Sequence, residues 1–291
     1  MTRNLLITGV AGFIGRQVAA EALRRGYRVS GLDRNQAQVQ GIEFLQADIR
    51  DRDRMIAAMR DKDAVIHLAA VTSNVEFIKD PIACYETNAN GFLNVAEAAV
   101  KSGCQRLVYA SSAAVYLDHF SEEAAISFQQ QSNHYAKTKM MNEMLARSYE
   151  DIHGIRTIGL RYFNVYGDGE NAKGDYASII TILRRAKRAG EWLVLYGDGR
   201  QARDLINVRD AAQITVDLLE KGSHPIYNVG TGVATAYVTI AEMIDKDRIR
   251  YVPNPLSSYQ YYTRAETGRL RETLGDYPFV KLEKGIADLK V

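Results

Sequence analysis

Short apolar runs recur along the chain, separated by longer stretches with helical periodicity. Asn4–Thr8, Tyr27–Leu32, Ile42–Gln46, Ala64–Ala70, Arg106–Ala110 and Ile155–Leu160 each predict a strand. A further strand and turn is predicted over Pro225–Gly232. Helices are predicted from Arg16 to Leu23, from Pro81 to about Gly103, and from about Tyr135 to Asp151. Strands that alternate with helices, each strand short and apolar, predict an α/β fold with a parallel sheet covered on both faces. Such sheets bind ligands at the carboxyl ends of their strands. The residues just after each predicted strand therefore carry the most information.

The first strand runs into Gly9–Val10–Ala11–Gly12–Phe13–Ile14–Gly15, and a helix follows. Glycines in that position permit a tight turn and close approach of backbone to a pyrophosphate. The helix N-terminus then offers free N–H groups and a partial positive charge to the anion. The unit predicts a Rossmann-type, doubly wound sheet, with Gly9, Gly12, Phe13, Ile14 and Gly15 against a dinucleotide. Asp33 ends the second strand. A carboxylate there accepts hydrogen bonds from an adenosine ribose 2′-OH and repels a 2′-phosphate, which favours NAD. Arg34 softens that preference and leaves NADP open. Asp48 and Ile49, after the third strand, either flank an adenine or cap the next helix. The fourth strand ends in Leu68–Ala69–Ala70, whose alanines let a cofactor lie against the backbone, while His67 is read as a packed strand residue. Asn88 and Asn90 fall in the helix that starts at Pro81.

Composition sets bounds without changing this picture. Hydrophobic residues are 46% and charged residues 25%, ordinary for a globular chain of 291 residues. A net charge of +2 is too small to argue for nucleic acid as a partner. No apolar run is long enough to span a bilayer. Met1–Asn4 leads into the first strand without a secretory pattern, so the expected location is the cytoplasm. Cys84 and Cys104 lie outside any metal-ligand spacing and are read as reduced thiols. No metal site, internal repeat or low-complexity segment is expected.

Tyr135 and Lys139 are four residues apart, on one face if the segment is helical. A free phenol has a pKa of about 10. A nearby ammonium favours its phenolate, so the pair can make a proton acceptor from a phenol. Gly9/Gly12/Gly15, Asp33, Asp48–Ile49, His67–Ala70, Ser111–Ser112 ahead of Tyr116, and Tyr135/Lys139 occur in one order along the chain. In that order they resemble the extended short-chain dehydrogenase/reductase family of nucleotide-sugar epimerases, dehydratases and related enzymes. The resemblance covers nearly the whole chain.

The resemblance implies that Tyr135 is the acid/base, that Lys139 lowers its pKa and binds the nicotinamide ribose, and that Ser112 holds the reacting hydroxyl. It implies that Asn88 and Tyr162 also contact the cofactor. Family dehydratases and the related sugar decarboxylase carry acidic residues between this serine and the Val-Tyr pair. Here those positions are Ala113 and Ala114, which have no proton to give, so epimerisation or simple redox is expected. Leu117 departs from the usual glycine and bears on the local loop shape. Asn164, in Arg161–Gly167, is carried over as substrate-binding. Arg203, in Tyr196–Asp204, is carried over as the partner of the nucleotide diphosphate, while Arg200 is read as a surface residue. The second half is most similar to the ADP-glycero-manno-heptose 6-epimerase branch, and also similar to UDP-glucose 4-epimerase. Lys173, before Gly174, matches a second acid/base of the heptose branch. The tyrosines of Tyr259–Tyr262 contact sugar or base, or else pack the lobe. Residues 1–165 are expected to form the dinucleotide domain, with part of 204–231 returning to it, and 166–291 a smaller C-terminal substrate-binding lobe. Helices near 81–102 and 135–151 are expected to pair in a homodimer, with Met140, Met141 and Met144 in the core or on that face. The expected activity is an NAD(P)-dependent nucleotide-sugar epimerase. A net dehydrogenase or a dinucleotide-binding sensor are its competitors.

Overall fold

The computed structural model describes residues 3–36, 39–117, 120–123, 126–170, 174, 177–255 and 260–290. In the first half, β1 (Asn4–Thr8), α1 (Phe13–Arg24), β2 (Arg28–Asp33), β3 (Glu43–Gln46), α2 (Arg52–Met59) and β4 (Ala64–His67) alternate strand and helix. After them come α3 (Asn74–Lys79), α4 (Pro81–Tyr85), α5 (Gly91–Lys101), β5 (Arg106–Ser112), α6 (His134–His153) and β6 (Arg156–Tyr162). The second half holds β7 (Asn164–Tyr166), α7 (Ile179–Arg188), β8 (Leu193–Tyr196), β9 (Ala202–Asn207), α8 (Val208–Lys221) and β10 (Ile226–Val229). It ends with β11 (Ala234–Ala236), α9 (Tyr237–Asp245), β12 (Ile249–Val252), α10 (Gly268–Leu274) and α11 (Leu282–Asp288).

Seven parallel strands form the main sheet in the order β10-β6-β5-β4-β1-β2-β3. The chain winds outward one way from β1 through β2 to β3. It then crosses back to β4 and winds the other way, so the order reverses beside β1. β1 and β4 each read as an almost unbroken buried run, because both faces of the sheet are covered. One face packs on α1 and α8 through residues such as Leu5, Ile7, Ile66, Ile158, Ile206 and Ile214. The other packs on α2, α5 and α6 through Leu6, Val65, Leu107, Phe92 and Ala146. Outside this sheet, β9 joins β7 and β11 in a three-stranded sheet, while β8 pairs with β12 in a two-stranded one. A separate core under α7, α9 and α11 includes Ile180, Leu183, Leu193, Leu195, Ile240 and Ile286.

The helix expected from Pro81 to Gly103 is interrupted. Glu86–Asn90 forms a π-helical segment between α4 and α5. Such bulges re-aim a side chain without ending the helix. Asn88 lies at its middle.

His67 is a buried strand residue, 2% exposed, whose Nδ1 lies 2.7 Å from Thr8 Oγ1. Burial, aided by the positive charge of Lys139, pulls its pKa down to about 3. The native imidazole is therefore neutral, while the unfolded chain takes up a proton below about 6.5. Stability from this group is complete above pH 6.5 and is lost as pH falls toward 3. At pH 4.5 the loss is about 2–3 kcal/mol. The urea midpoint is expected to fall between pH 7 and pH 4.5, and the fall to shrink in His67→Gln; an unchanged fall contradicts this origin.

Candidate active site

The turn after β1 is built so that only glycine fits at two of its positions. Gly9 has φ 75°, and a Cβ there would lie 2.6 Å from the backbone N of Ala69. Gly15 sits in the first turn of α1, where a Cβ would come within 2.1 Å of Gly9 O. The loop and the helix start are thus in backbone contact. Gly12 is the N-cap of α1 and offers no side chain to the helix end. The first-turn amides keep the character that suits a bound anion. Gly15→Ala is expected to force loop and helix apart, at a cost of about 1–3 kcal/mol. Purified Gly15→Ala should retain at least about tenfold less dinucleotide than wild type, measured by mass after release; equal retention contradicts this packing.

Beside this turn lies a cavity of about 320 Å³. It brings together Gly9, Gly12, Asp33, Arg34, Asp48, Ile49, Leu68, Ala69 and Ala70, nine of the residues read as cofactor-binding from the sequence. Asp33 Oδ2 accepts from Ala11 N at 3.0 Å and Oδ1 from Asn35 N at 2.9 Å, which pins the carboxylate at the end of β2. Asp48 is chelated by Arg50, with Arg50 Nη2 2.8 Å from Oδ2, and this guanidinium holds the carboxyl below its usual range. The cap of α2 is Asp51, which accepts from Arg54 N, so Asp48 is left to the cavity wall. Ala11, Arg16, Asn35, Gln36, Ala47, Val71 and Thr87 also line the cavity and were not singled out in the sequence. Ala11 and Arg16 flank the glycines and were legible by proximity. Thr87 belongs to the π segment and had no sequence signal.

Phe13, Ile14 and Gly15 form the first turn of α1, with Phe13 and Ile14 packed against the core beneath. Asn88 sits one layer behind the cavity. Its Oδ1 accepts from Val71 N at 2.8 Å, and its Nδ2 donates to Val71 O at 2.9 Å and to Thr138 Oγ1 at 3.1 Å. The side chain is 1% exposed, and these bonds use its donors to hold the cavity wall to α6. The Tyr162 ring lies deeper. Strand alternation turns it into the core, where its hydroxyl meets Thr215 of α8 at 2.7 Å.

Ser112, Tyr135 and Lys139 come together next to the cavity, none of them lining it. Ser112 ends β5, and its Oγ accepts from Ala114 N at 3.1 Å. That leaves the serine proton free to turn to the Tyr135 phenol, which it faces closely enough to favour the phenolate. α6 is started by Asn133, whose Oδ1 accepts from Ala136 N, and ended by Gly154 in the left-handed region. Tyr135 is the second residue of this helix, and Lys139 lies one turn on. The tyrosine ring packs edge-on against Phe77 at 6.2 Å, in the small cluster formed by Val71, Phe77 and Cys84. Lys139 Nζ donates to Ala110 O at 2.9 Å and lies 5.7 Å from the Tyr135 ring centre.

The sequence led us to expect that Lys139 would lower the pKa of Tyr135. Burial instead pushes the phenol above its ordinary value, with the Ser112 hydrogen bond pulling the other way. Burial also draws the Lys139 ammonium down to about 8, against the Glu143 carboxylate, which favours its charge. Desolvation outweighs a cation that is not in contact with the phenol oxygen. At neutral pH the tyrosine of this form is a proton donor and the lysine is still mostly charged.

The residues after Ser112 pack tightly. Ala113, Val115 and Tyr116 are buried with Met140, Phe163 and Ala265. Asn164 Nδ2 donates to Asp204 O at 3.0 Å and to Thr263 Oγ1 at 3.3 Å, which joins β7 to β9. Arg203 is 8% exposed. Its guanidinium donates to Ala202 O at 2.9 Å and to Gln260 O, and sits 5.6 Å from the Tyr237 ring centre. Arg200 is at the surface beside Asp198. Lys173 lies outside the described residues, as does Tyr259. Among the described residues no group of His, Cys, Asp and Glu is arranged to hold a metal, and no helix is long and apolar enough to cross a membrane.

The cavity suits a dinucleotide by its own features: an uncapped helix end, backbone-close glycines, and a pinned carboxylate at the tip of β2. Comparison with known proteins agrees. The chain is 31% identical to an ADP-L-glycero-D-manno-heptose-6-epimerase from Alkalilimnicola ehrlichii, over 97% of this chain and 95% of the relative. It is 30% identical to a UDP-N-acetyl-alpha-D-glucosaminuronate decarboxylase from Bacillus cytotoxicus, over 99% and 97% of the two chains. The crystal structure of Thermus thermophilus UDP-glucose 4-epimerase in complex with NAD superposes with a TM-score of 0.84 at 29% identity, covering 97% of this chain and 96% of that one. Residues 5–230 match the model of the NAD dependent epimerase/dehydratase family, and the chain belongs to that family.

Proposed function

We propose that this protein is an NAD-dependent nucleotide-sugar epimerase, with Tyr135 as acid/base, Ser112 as holder of the reacting hydroxyl and Lys139 as the supporting cation. One observation carries the reading: Ser112 at the end of β5 faces the Tyr135 phenol closely enough to favour its phenolate, beside the dinucleotide cavity, with Lys139 one turn on. Oxidising a carbinol means removing a hydride from carbon and a proton from oxygen. Bound NAD supplies the place for the hydride and returns it. The chain handles the proton. Ser112 and Tyr135 converge on one oxygen; Tyr135, as the phenolate that a cationic nicotinamide ring beside it would favour over the cofactor-free phenol, takes the carbinol proton as the carbonyl forms, and the resulting phenol gives it back in the reverse step. Inversion follows when the keto sugar turns its other face to the cofactor before reduction.

Relatives of similar identity include a decarboxylase, so the family leaves the reaction open. Ala113 and Ala114 favour epimerisation, because elimination of water requires a general acid and neither methyl has a proton to give. Ala113 is 9% exposed, so the wall at this point is apolar as well as aprotic. We further propose that the sugar nucleotide lies between this wall and the β7–β9–β11 sheet, toward Asn164 and Arg203, and that Lys173 serves the opposite face. The substrate class is open between an ADP-heptose, as the relative from Alkalilimnicola ehrlichii is named, and a UDP-hexose. A homodimer through α4 and α6 completes the reading; Ile82, Met144 and Ile152 are 72%, 67% and 70% exposed there, and sedimentation tests it.

The direct test uses purified protein with no cofactor added. Any bound dinucleotide is released and identified by mass. The protein is then incubated with ADP-heptose, UDP-hexose and UDP-N-acetylhexosamine, and products are followed by NMR. Inversion without net reduction of cofactor supports the reading. Stoichiometric NADH with a keto product makes the protein a dehydrogenase instead.

A further inference from the structure

We propose that the buried Glu143–Arg161 pair is a positioning clamp that fixes Ser112 from both sides. It rests on the epimerase reading of Ser112, Tyr135 and Lys139. Glu143 lies one helical turn beyond Lys139 on α6, and Arg161 is the penultimate residue of β6. Their side chains are 9% and 4% exposed. The guanidinium grips the carboxylate at two points, Nε to Oε1 at 2.9 Å and Nη2 to Oε2 at 2.6 Å. The pair is not closed on itself. Ser111 Oγ donates to Glu143 Oε1 at 2.5 Å, which ties the residue before Ser112 to the catalytic helix. Arg161 Nη1 donates to Tyr116 OH at 2.7 Å, and the guanidinium carbon sits 4.8 Å from the Tyr116 ring centre. Tyr116 OH in turn donates to Asn228 Oδ1 of β10 at 2.8 Å. The short turn Ser112–Tyr116 is therefore anchored at both ends by one ion pair, while Ser112 itself takes only Ala114 N from within the turn.

A serine that must aim its proton at a phenol gains from such anchoring, because the directional bond survives only while the backbone on either side is held. Bland stability is a weaker explanation. A buried ion pair often stabilises a fold no better than apolar residues of the same size. This pair also ties α6 to β5, β6 and the turn after β5 at one point. The clamp has an electrostatic side. The charged or titratable groups set against Lys139 are Tyr135 and Glu143 on its own helix and the neutral His67 of β4. Glu143 is the anion among them, and Arg161 holds it in place.

Glu143→Gln keeps the shape and removes the charge. In the folded variant, kcat is expected to fall about 10- to 100-fold with KM for the sugar nucleotide within about threefold, because the clamp does not touch substrate. In the cofactor-free protein, the Lys139 titration followed by NMR should move down by about one pH unit. A folded Glu143→Gln with both kcat and the Lys139 titration unchanged overturns the clamp. Should Glu143→Gln fail to fold, Ser111→Ala cuts only the bond to β5. It should lower kcat at least about threefold at unchanged KM, and an unchanged kcat overturns the clamp. The Lys139 titration needs no substrate. An inactive wild type whose Lys139 still responds to Glu143→Gln would count against the epimerase reading and for the clamp.

Discussion

Tyr135→Phe is expected to lower kcat by about 10³-fold while the protein stays folded and keeps its dinucleotide. The substitution removes one oxygen. The ring that packs edge-on against Phe77 at 6.2 Å is retained, and α6 is unaffected because its cap is Asn133. The hydroxyl lost is the one that faces Ser112, whose oxygen still accepts from Ala114 N. The melting temperature should move by no more than about 2 °C, since a single bond at a half-buried ring is worth roughly 1 kcal/mol. Retained dinucleotide and an unchanged midpoint separate lost chemistry from lost structure. Activity within tenfold of wild type would mean that another group carries the proton.

Asp204→Ala is expected to damage the fold more than any other single substitution in the second half. Asp204 is fully buried at the middle of β9. Its Oδ1 accepts from Thr231 N at 2.9 Å and Thr231 Oγ1 at 2.7 Å. Its Oδ2 accepts from Gly232 N at 2.8 Å and Ala265 N at 3.0 Å. One carboxylate thus joins the three-stranded sheet to the turn after β10 and to the segment leading into α10. Alanine strands three backbone amides with no acceptor, each worth about 1–3 kcal/mol. The sum is on the order of 4 kcal/mol or more, which lowers the melting temperature by roughly 10 °C. Asn is not a rescue, because its amide would point N–H groups at two donors. A melting temperature within 2 °C of wild type for Asp204→Ala would contradict this arrangement. Asn164 and Arg203 should lose their geometry with it, as Asn164 donates to the carbonyl of this same residue.

The first half was legible because its signals are local. Each parallel strand is a short apolar run, and the residues that line the cavity sit at or just past the ends of such runs, so β1, β2, β4 and the cavity at their ends follow from pattern alone. The interruption at Glu86–Asn90 was not legible, since a π segment keeps helical periodicity on both sides. The second half was harder. β7 and β11 span only Asn164–Tyr166 and Ala234–Ala236, too short for alternation to declare a strand. Arg203 has the chemistry of a phosphate ligand, yet its placement against Ala202 O, Gln260 O and the Tyr237 ring depends on three segments far apart in sequence. Tyr162 lies one step along β6 from Arg161, so its ring faces the core while Arg161 faces Glu143. Glu143 was not singled out in the sequence. Only the fold reveals Arg161 opposite it.

The pKa of Tyr135 marks where residue spacing stops being informative. Four residues on a helix bring a tyrosine and a lysine to one face, but not into contact. Burial then governs both groups, raising the phenol and drawing the ammonium to about 8.

The central claim is that one carbinol carbon loses its hydride and regains the same hydride on the opposite face. A sugar nucleotide that the protein accepts, deuterated at that carbon, is incubated in ordinary water and the product read by NMR. Deuterium kept at the inverted carbon, with no build-up of reduced cofactor, is the predicted result. Inversion with the label lost to solvent would mean proton abstraction at carbon, and would contradict hydride storage on NAD and the proton-handling roles of Ser112 and Tyr135.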